Sequence, residues 1–167
     1  MSSDTEREAA LSRAQPRGEL AARSLAMPAD TNPGGDIFGG WIMSLMDNAG
    51  AITATQRADG RVATVAVSNI SFLQPVKVGD VVCCYTEFLG VGRSSMTLAV
   101  EVWVLRQGCG PRIKVTAAEF TFVALDDAGR PRQIGRREEP VATADADDSH
   151  GDTLVERRQN SDPAAAR

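Results

Sequence analysis

The chain has 167 residues, 43% hydrophobic and 24% charged, which is the balance of a globular protein able to bury a core in one domain. A net charge of −4 argues against a nucleic-acid partner, which calls for a basic face. Three cysteines, Cys83, Cys84 and Cys109, do not make a disulfide framework or a zinc pattern. With a polar start that lacks the apolar run of a signal peptide, they predict a cytoplasmic protein.

Residues 1–18 are charged and small, and disorder is expected there. The organised body is expected over residues 19–134. It opens with "LAARSLAMP", an extended segment ending at Pro28, followed by the Gly-, Asn- and Pro-rich loop "ADTNPGGDIFGG". The spacing predicts a helix from Ile37 to Arg57, with Phe38, Trp41, Ile42, Leu45, Ala49 and Ile52 as its apolar stripe. A membrane crossing would need a run of this length. Asp47, Asn48, two threonines and Gln56 dilute it, so a buried helix of a soluble protein is the better fit.

Four strands are predicted after the turn "ADGR": "RVATVAVSNISF", "GDVVCCYTEFLG", "SSMTLAVEVWVLR" and "IKVTAAEFTFVALD". In the third, Met96, Leu98, Val100, Val102 and Val104 take one face, and Ser95, Thr97, Glu101 and Trp103 the other. Short turns make the sheet mostly antiparallel, a meander following one long helix, hence an α+β domain. Cys83 and Cys84 point to opposite faces, which suits packing. Residues 135–167 are expected to form a disordered tail, which holds the chain's single histidine, His150.

The helix carries one conspicuous charge. Reading outward from Asp47, the nearest charged residues are Asp36 and Arg57. At about 100° per residue Asp47 lies opposite the aromatic stripe, beside Gly40, Met43, Gly50 and Ala54. A carboxylate among small and apolar neighbours is costly unless something uses it. It is either a structural group held by a hydrogen bond or part of a contact surface for a substrate or partner. Gly39 and Gly40 open the helix, where amides have no intrahelical acceptor and carry the positive end of the dipole. Without side chains they admit a ligand closely. Such amides can polarise a carbonyl oxygen, and Asp47 follows roughly 11 Å along the axis from Gly40. Alternatively the glycines merely allow tight packing. Met43 and Met46 either line a ligand space or pack the core.

The segments "LAMPADTNPGGDIFGGWIMSLMDNAGAI", "FLQPVKVGDVVCCY" and "EVWV" closely resemble the bacterial YciA-type acyl-CoA thioesterases of the hotdog-fold superfamily, across about residues 20–134. The resemblance implies a long central helix wrapped by an antiparallel sheet. It implies hydrolysis of acyl-CoA to free acid and coenzyme A, without metal or organic cofactor. It also implies homodimers with shared active sites, assembling into trimers of dimers, and no membrane or nucleic-acid partner. Residue by residue, it places the helix carboxylate at Asp47, the entry-loop asparagine at Asn32 and the carbonyl-polarising amide at Gly39, with Gly40 beside it. Asn32 of one chain is expected near Asp47 of the other. Where related enzymes carry a histidine before the glycine pair, this chain has Phe38.

Whether Asp47 acts as general base or nucleophile is left open by the residues. The nucleotide end of coenzyme A needs donors or cations, for which Arg93, Ser94 and Ser95 in "GRSS" are candidates, with Arg61 and Lys77; each serves equally as part of a polar turn. Dehydratase chemistry of the hotdog type uses a histidine that the body lacks. A non-catalytic acyl-CoA-binding module is the alternative, and a purely structural oligomer is a third reading.

Overall fold

The computed structural model describes residues 15–135. Of the segments expected to be disordered, 1–18 and 135–167, residues 1–14 and 136–167 lie outside the described residues. The elements in chain order are β1 (Glu19–Leu25), α1 (Gly39–Ala58), β2 (Val62–Phe72), β3 (Val81–Val91), β4 (Ser95–Leu105) and β5 (Ile113–Ala124). The five strands form one sheet in the order β1-β3-β4-β5-β2, and every neighbouring pair is antiparallel. This is the helix-on-sheet architecture of the hotdog fold.

The sheet departs from a simple meander at one point. β2 does not pair with β3 but lies beyond β5 at the far edge. Residues 73–80 carry the chain across. They are tied by Leu73 N–H to Val115 O at 2.7 Å and by Ile37 N–H to Val76 O at 2.9 Å. At the far end of the crossing, buried Asp80 accepts from Lys77 N–H at 2.8 Å and from the Arg106 guanidinium, which also reaches Pro75 O at 3.0 Å.

The helix begins two residues later than its apolar pattern suggests, because Ile37 and Phe38 are extended. It ends at Asp59, which takes a left-handed conformation, φ 50°. Its buried face keeps Ile42 and Ala49 of the expected stripe, with Trp41 and Leu45 packed against the core, and departs from it elsewhere. Ile42, Met46, Ala49, Gly50, Ala54 and Ala58 lie against the sheet, whereas Phe38 and Ile52 are 58% and 46% exposed. The small residues win the inner face because they let the helix come close. A Cβ on Gly50 would stand 2.8 Å from the Phe122 ring, so a side chain there would push helix and sheet apart. Gly50 and Ala54, expected beside Asp47 on a second surface, belong to the core. Met46 is fully buried, while Met43 is exposed.

β4 alternates as its sequence predicts, yet both of its faces are buried. Met96, Leu98, Val100, Val102 and Val104 join the helix-side core. Trp103 packs with Cys83 and Tyr85 on the other face, and Cys84 turns into the main core. Burial pushes the Cys84 thiol up to about 12, with the neighbouring Cys83 adding to the shift, so it is not a thiolate nucleophile. On the outer face Glu101 is 2% exposed and accepts from Lys114 Nζ at 2.7 Å, Arg17 Nε at 2.9 Å and Trp103 Nε1 at 3.0 Å. Burial alone would raise its pKa; the three donors outweigh that and hold the carboxyl below its usual range. Among the described residues no helix is long and apolar enough to cross a membrane.

Candidate active site

The entry loop is built on Asn32. Its side-chain oxygen accepts from the amides of Gly34 (2.9 Å) and Asp36 (3.2 Å), while its own N–H donates to Asp36 O at 2.7 Å. This Asx turn folds residues 32–36 back on themselves, as such side chains do. Phe38 N–H then donates to Asp30 O at 2.8 Å, which closes the loop onto the start of α1.

Phe38 serves as N-cap without a side-chain hydrogen bond, and its carbonyl accepts from Trp41 N–H at 3.0 Å. Neither Gly39 nor Gly40 donates its amide to a backbone carbonyl among the described residues. Two oriented donors therefore stand free at the positive end of a 20-residue helix. A Cβ on Gly40 would come within 2.5 Å of the Phe38 ring, so a side chain there would require that exposed ring to move.

Beside Gly39 lies a cavity of about 280 Å³. Ile37, Ile42, Phe72 and Val76 supply apolar walls, with Thr116 among the lining residues. Asp36 contributes at one side, where it is paired with Lys77. Lys77 thus stands by this cavity, engaged with a carboxylate rather than free.

Asp47 sits two turns into α1, half-buried, on the flank facing β2. Its Oδ1 accepts from Thr64 Oγ1 at 2.5 Å. Thr64 carries no signal in the sequence, since a partner on a strand 17 residues away is chosen by how helix and sheet pack. The other carboxylate oxygen, Oδ2, accepts no hydrogen bond from the described residues.

Arg61, Arg93, Ser94 and Ser95 gather at the opposite end of the sheet. Leu125 N–H donates to Arg61 O at 2.9 Å and Ala124 N–H to Ser94 O at 2.9 Å, so the two segments flank the end of β5. Ile134 N–H donates to Arg93 O at 2.8 Å, pinning the turn while the Arg93 side chain remains exposed. Gly39 lies near Phe72, at the other end of β2 from Val62. Within one chain, then, the glycine amides and the basic turn are not brought together. Among the described residues there is no cluster of metal-ligating side chains.

A long helix cradled by an antiparallel sheet, opened by free glycine amides and carrying a half-buried carboxylate, defines a hotdog protein suited to acyl chemistry. The description "Thioesterase superfamily" matches residues 34–110, from the entry loop past β4. An uncharacterized acyl-CoA thioester hydrolase of Haemophilus influenzae is 58% identical over 125 residues, covering 73% of this chain and 81% of the relative. The acyl-CoA thioester hydrolase YciA of Escherichia coli K12 is 52% identical over 122 residues, covering 71% and 92%. The hexameric thioesterase y2039 of Yersinia pestis superposes with a TM-score of 0.71 at 56% identity, covering 74% of this chain and all of that one. The chain belongs to the thioesterase superfamily, among its YciA-type acyl-CoA thioester hydrolases.

Proposed function

We propose that the protein hydrolyses acyl-CoA thioesters to a free carboxylic acid and coenzyme A, the activity named in its relatives. The observation that carries this reading is the pair of unspent amides at Gly39 and Gly40 on the same helix as the Asp47 carboxylate. The thioester carbonyl oxygen accepts from Gly39 or Gly40 N–H, and the charge that builds on it during attack is stabilised there. Asp47 works in one of two ways. As a base it takes a proton from water while the water oxygen adds to the carbonyl carbon. As a nucleophile it adds directly, giving an anhydride that water then opens. In either route the carbon–sulfur bond breaks and the departing thiolate takes up a proton. Thr64 holds Oδ1 and leaves Oδ2 to react. Asn32 has committed its oxygen to the loop, so its amide nitrogen is the group that orients water or carbonyl.

The scheme uses no cofactor. Arg93, Ser94, Ser95 and Arg61 take the phosphates of coenzyme A. Their distance from the glycine amides of the same chain fits a site completed by a second subunit. β2 is an edge strand with Val65 57% and Val67 41% exposed, and the outer side of α1 leaves Phe38 and Ile52 uncovered. An apolar edge of this kind calls for a partner. We read it as the seam of a homodimer in which Asn32 of one chain meets Asp47 of the other, three such dimers making a hexamer.

The test is thiol release from a panel of acyl-CoAs, wild type beside Asp47→Asn. Loss of activity by at least about 100-fold with an unchanged unfolding midpoint supports the assignment. Near-normal hydrolysis by Asp47→Asn overturns it, and a wild type that binds but never cleaves acyl-CoA would establish a binding module instead.

A further inference from the structure

We propose that the cavity beside Gly39 receives acyl chains that carry an oxygen substituent, and that the Thr116 hydroxyl is the group that recognises it. This rests on the thioesterase reading and adds its substrate class. Thr116 is 1% exposed, lines the cavity, and its Oγ1 has no hydrogen-bond partner among the described residues. A buried hydroxyl without a partner is uncommon because folding strips it of water for nothing in return. Here the residue lines a cavity of about 280 Å³, and a shift of its side chain would bring the buried Oγ1 to a ligand atom held there.

The strand geometry shows how the hydroxyl comes to face that space. Along β5 the pairing with β4 runs Val102↔Thr116 and then Trp103↔Lys114, skipping Val115. Val115 and Val102 both lie in the helix-side core. Residues paired across strands share a face, so Thr116 faces the helix side with Val102, although an unbroken alternation would place it opposite Val115. The irregularity turns two consecutive side chains inward and sends Lys114 outward to Glu101. Bulges of this kind re-aim side chains near functional sites. On its other side Thr116 pairs with Phe72, whose ring stands 3.5 Å from where a Cβ on Gly39 would lie. Thr116 and Gly39 therefore line one compartment. Apart from Asp36, which is paired with Lys77, and Gln74, the other lining side chains are apolar. An all-hydrocarbon acyl group would leave Thr116 unsatisfied, while an acyl chain bearing a hydroxyl gives it both a donor and an acceptor.

The experiment compares kcat/KM for butyryl-CoA with that for 3-hydroxybutyryl-CoA and 4-hydroxybutyryl-CoA, in wild type, Thr116→Val, Thr116→Ala and Thr116→Ser. The expected result is that the hydroxyacyl-to-butyryl ratio falls at least about tenfold in Thr116→Val for one of the two hydroxy esters, with Thr116→Ser staying near wild type. Thr116→Ala gives the same fall should the valine not be accommodated. Ratios within twofold of wild type in both the valine and alanine variants overturn the proposal, because a structural role changes all three esters together. The two readings fail separately: a wild type that cleaves these esters with an unmoved ratio refutes only the role of Thr116, whereas a wild type that cleaves no acyl-CoA refutes the thioesterase assignment itself.

Discussion

Thr64 Oγ1 donates to Asp47 Oδ1 at 2.5 Å, linking the exposed edge strand β2 to the helix carboxylate. The contact holds one carboxylate oxygen and, on the proposed mechanism, selects the other to face the thioester. Thr64→Val should lower kcat by roughly tenfold with little change in KM, about 1.4 kcal/mol of lost positioning. Thr64→Ser, which keeps the hydroxyl, should recover most of the rate. Steady-state kinetics on one acyl-CoA checks this, and an equal loss in the valine and serine variants would count against positioning through the hydrogen bond.

Gly50 touches Phe122 so closely that the helix–sheet distance depends on both. Alanine would raise helix propensity by roughly 1 kcal/mol but place a methyl 2.8 Å from the ring. Overpacking typically costs about 1–3 kcal/mol, so Gly50→Ala should be destabilising on balance. Combined with Phe122→Leu, which frees space at the contact, it should cost less than the two single changes added together. Urea unfolding of the four proteins measures that coupling.

Glu101 should contribute to the acid sensitivity of the fold. Its pKa is held below the unfolded value by Lys114, Arg17 and Trp103 acting against burial. The stability it contributes is therefore present above the unfolded value of about 4.3 and is lost as pH falls through the lower folded value. Glu101→Gln should be less stable than wild type at pH 7, by about 1–3 kcal/mol, since two cations lose their charged partner. The gap should narrow toward pH 3, as thermal melts across that range would reveal.

Arg93 stands exposed on a turn whose backbone is pinned by Ile134. Reversal to Glu should raise KM for acyl-CoA severalfold while leaving hydrolysis of an acyl-pantetheine, which lacks the nucleotide, nearly unchanged. The effect should shrink at high salt, because exposed charges are screened. Equal changes for both substrates would remove Arg93 from nucleotide binding.

Val67 lies exposed on the outer strand of the sheet. A lysine there should convert the proposed hexamer to smaller species in analytical ultracentrifugation, and activity should fall with it if neighbouring chains complete each site.

The long helix, the four strands after it, the alternation along β4 and the opposed cysteines were all legible in the sequence. Each is a local periodicity, and periodicity survives whatever the strands later pair with. The glycine pair at the helix start and the lone Asp47 were legible for a similar reason, since amide chemistry at a helix start and an isolated charge are properties of consecutive residues. The inner face of α1 was legible only in part: Ile42 and Ala49 are buried as expected, and Trp41 and Leu45 pack against the core. The pattern also favoured Phe38 and Ile52, which are exposed, whereas close packing on Phe122 reserves part of the inner face for Gly50, and only the sheet's shape sets that distance. Nor could spacing show that β2 crosses to the far edge, that Thr64 meets Asp47, or that a skipped pairing at Val115 turns Thr116 inward. These depend on which distant backbone groups satisfy one another, a choice made when all the strands assemble at once.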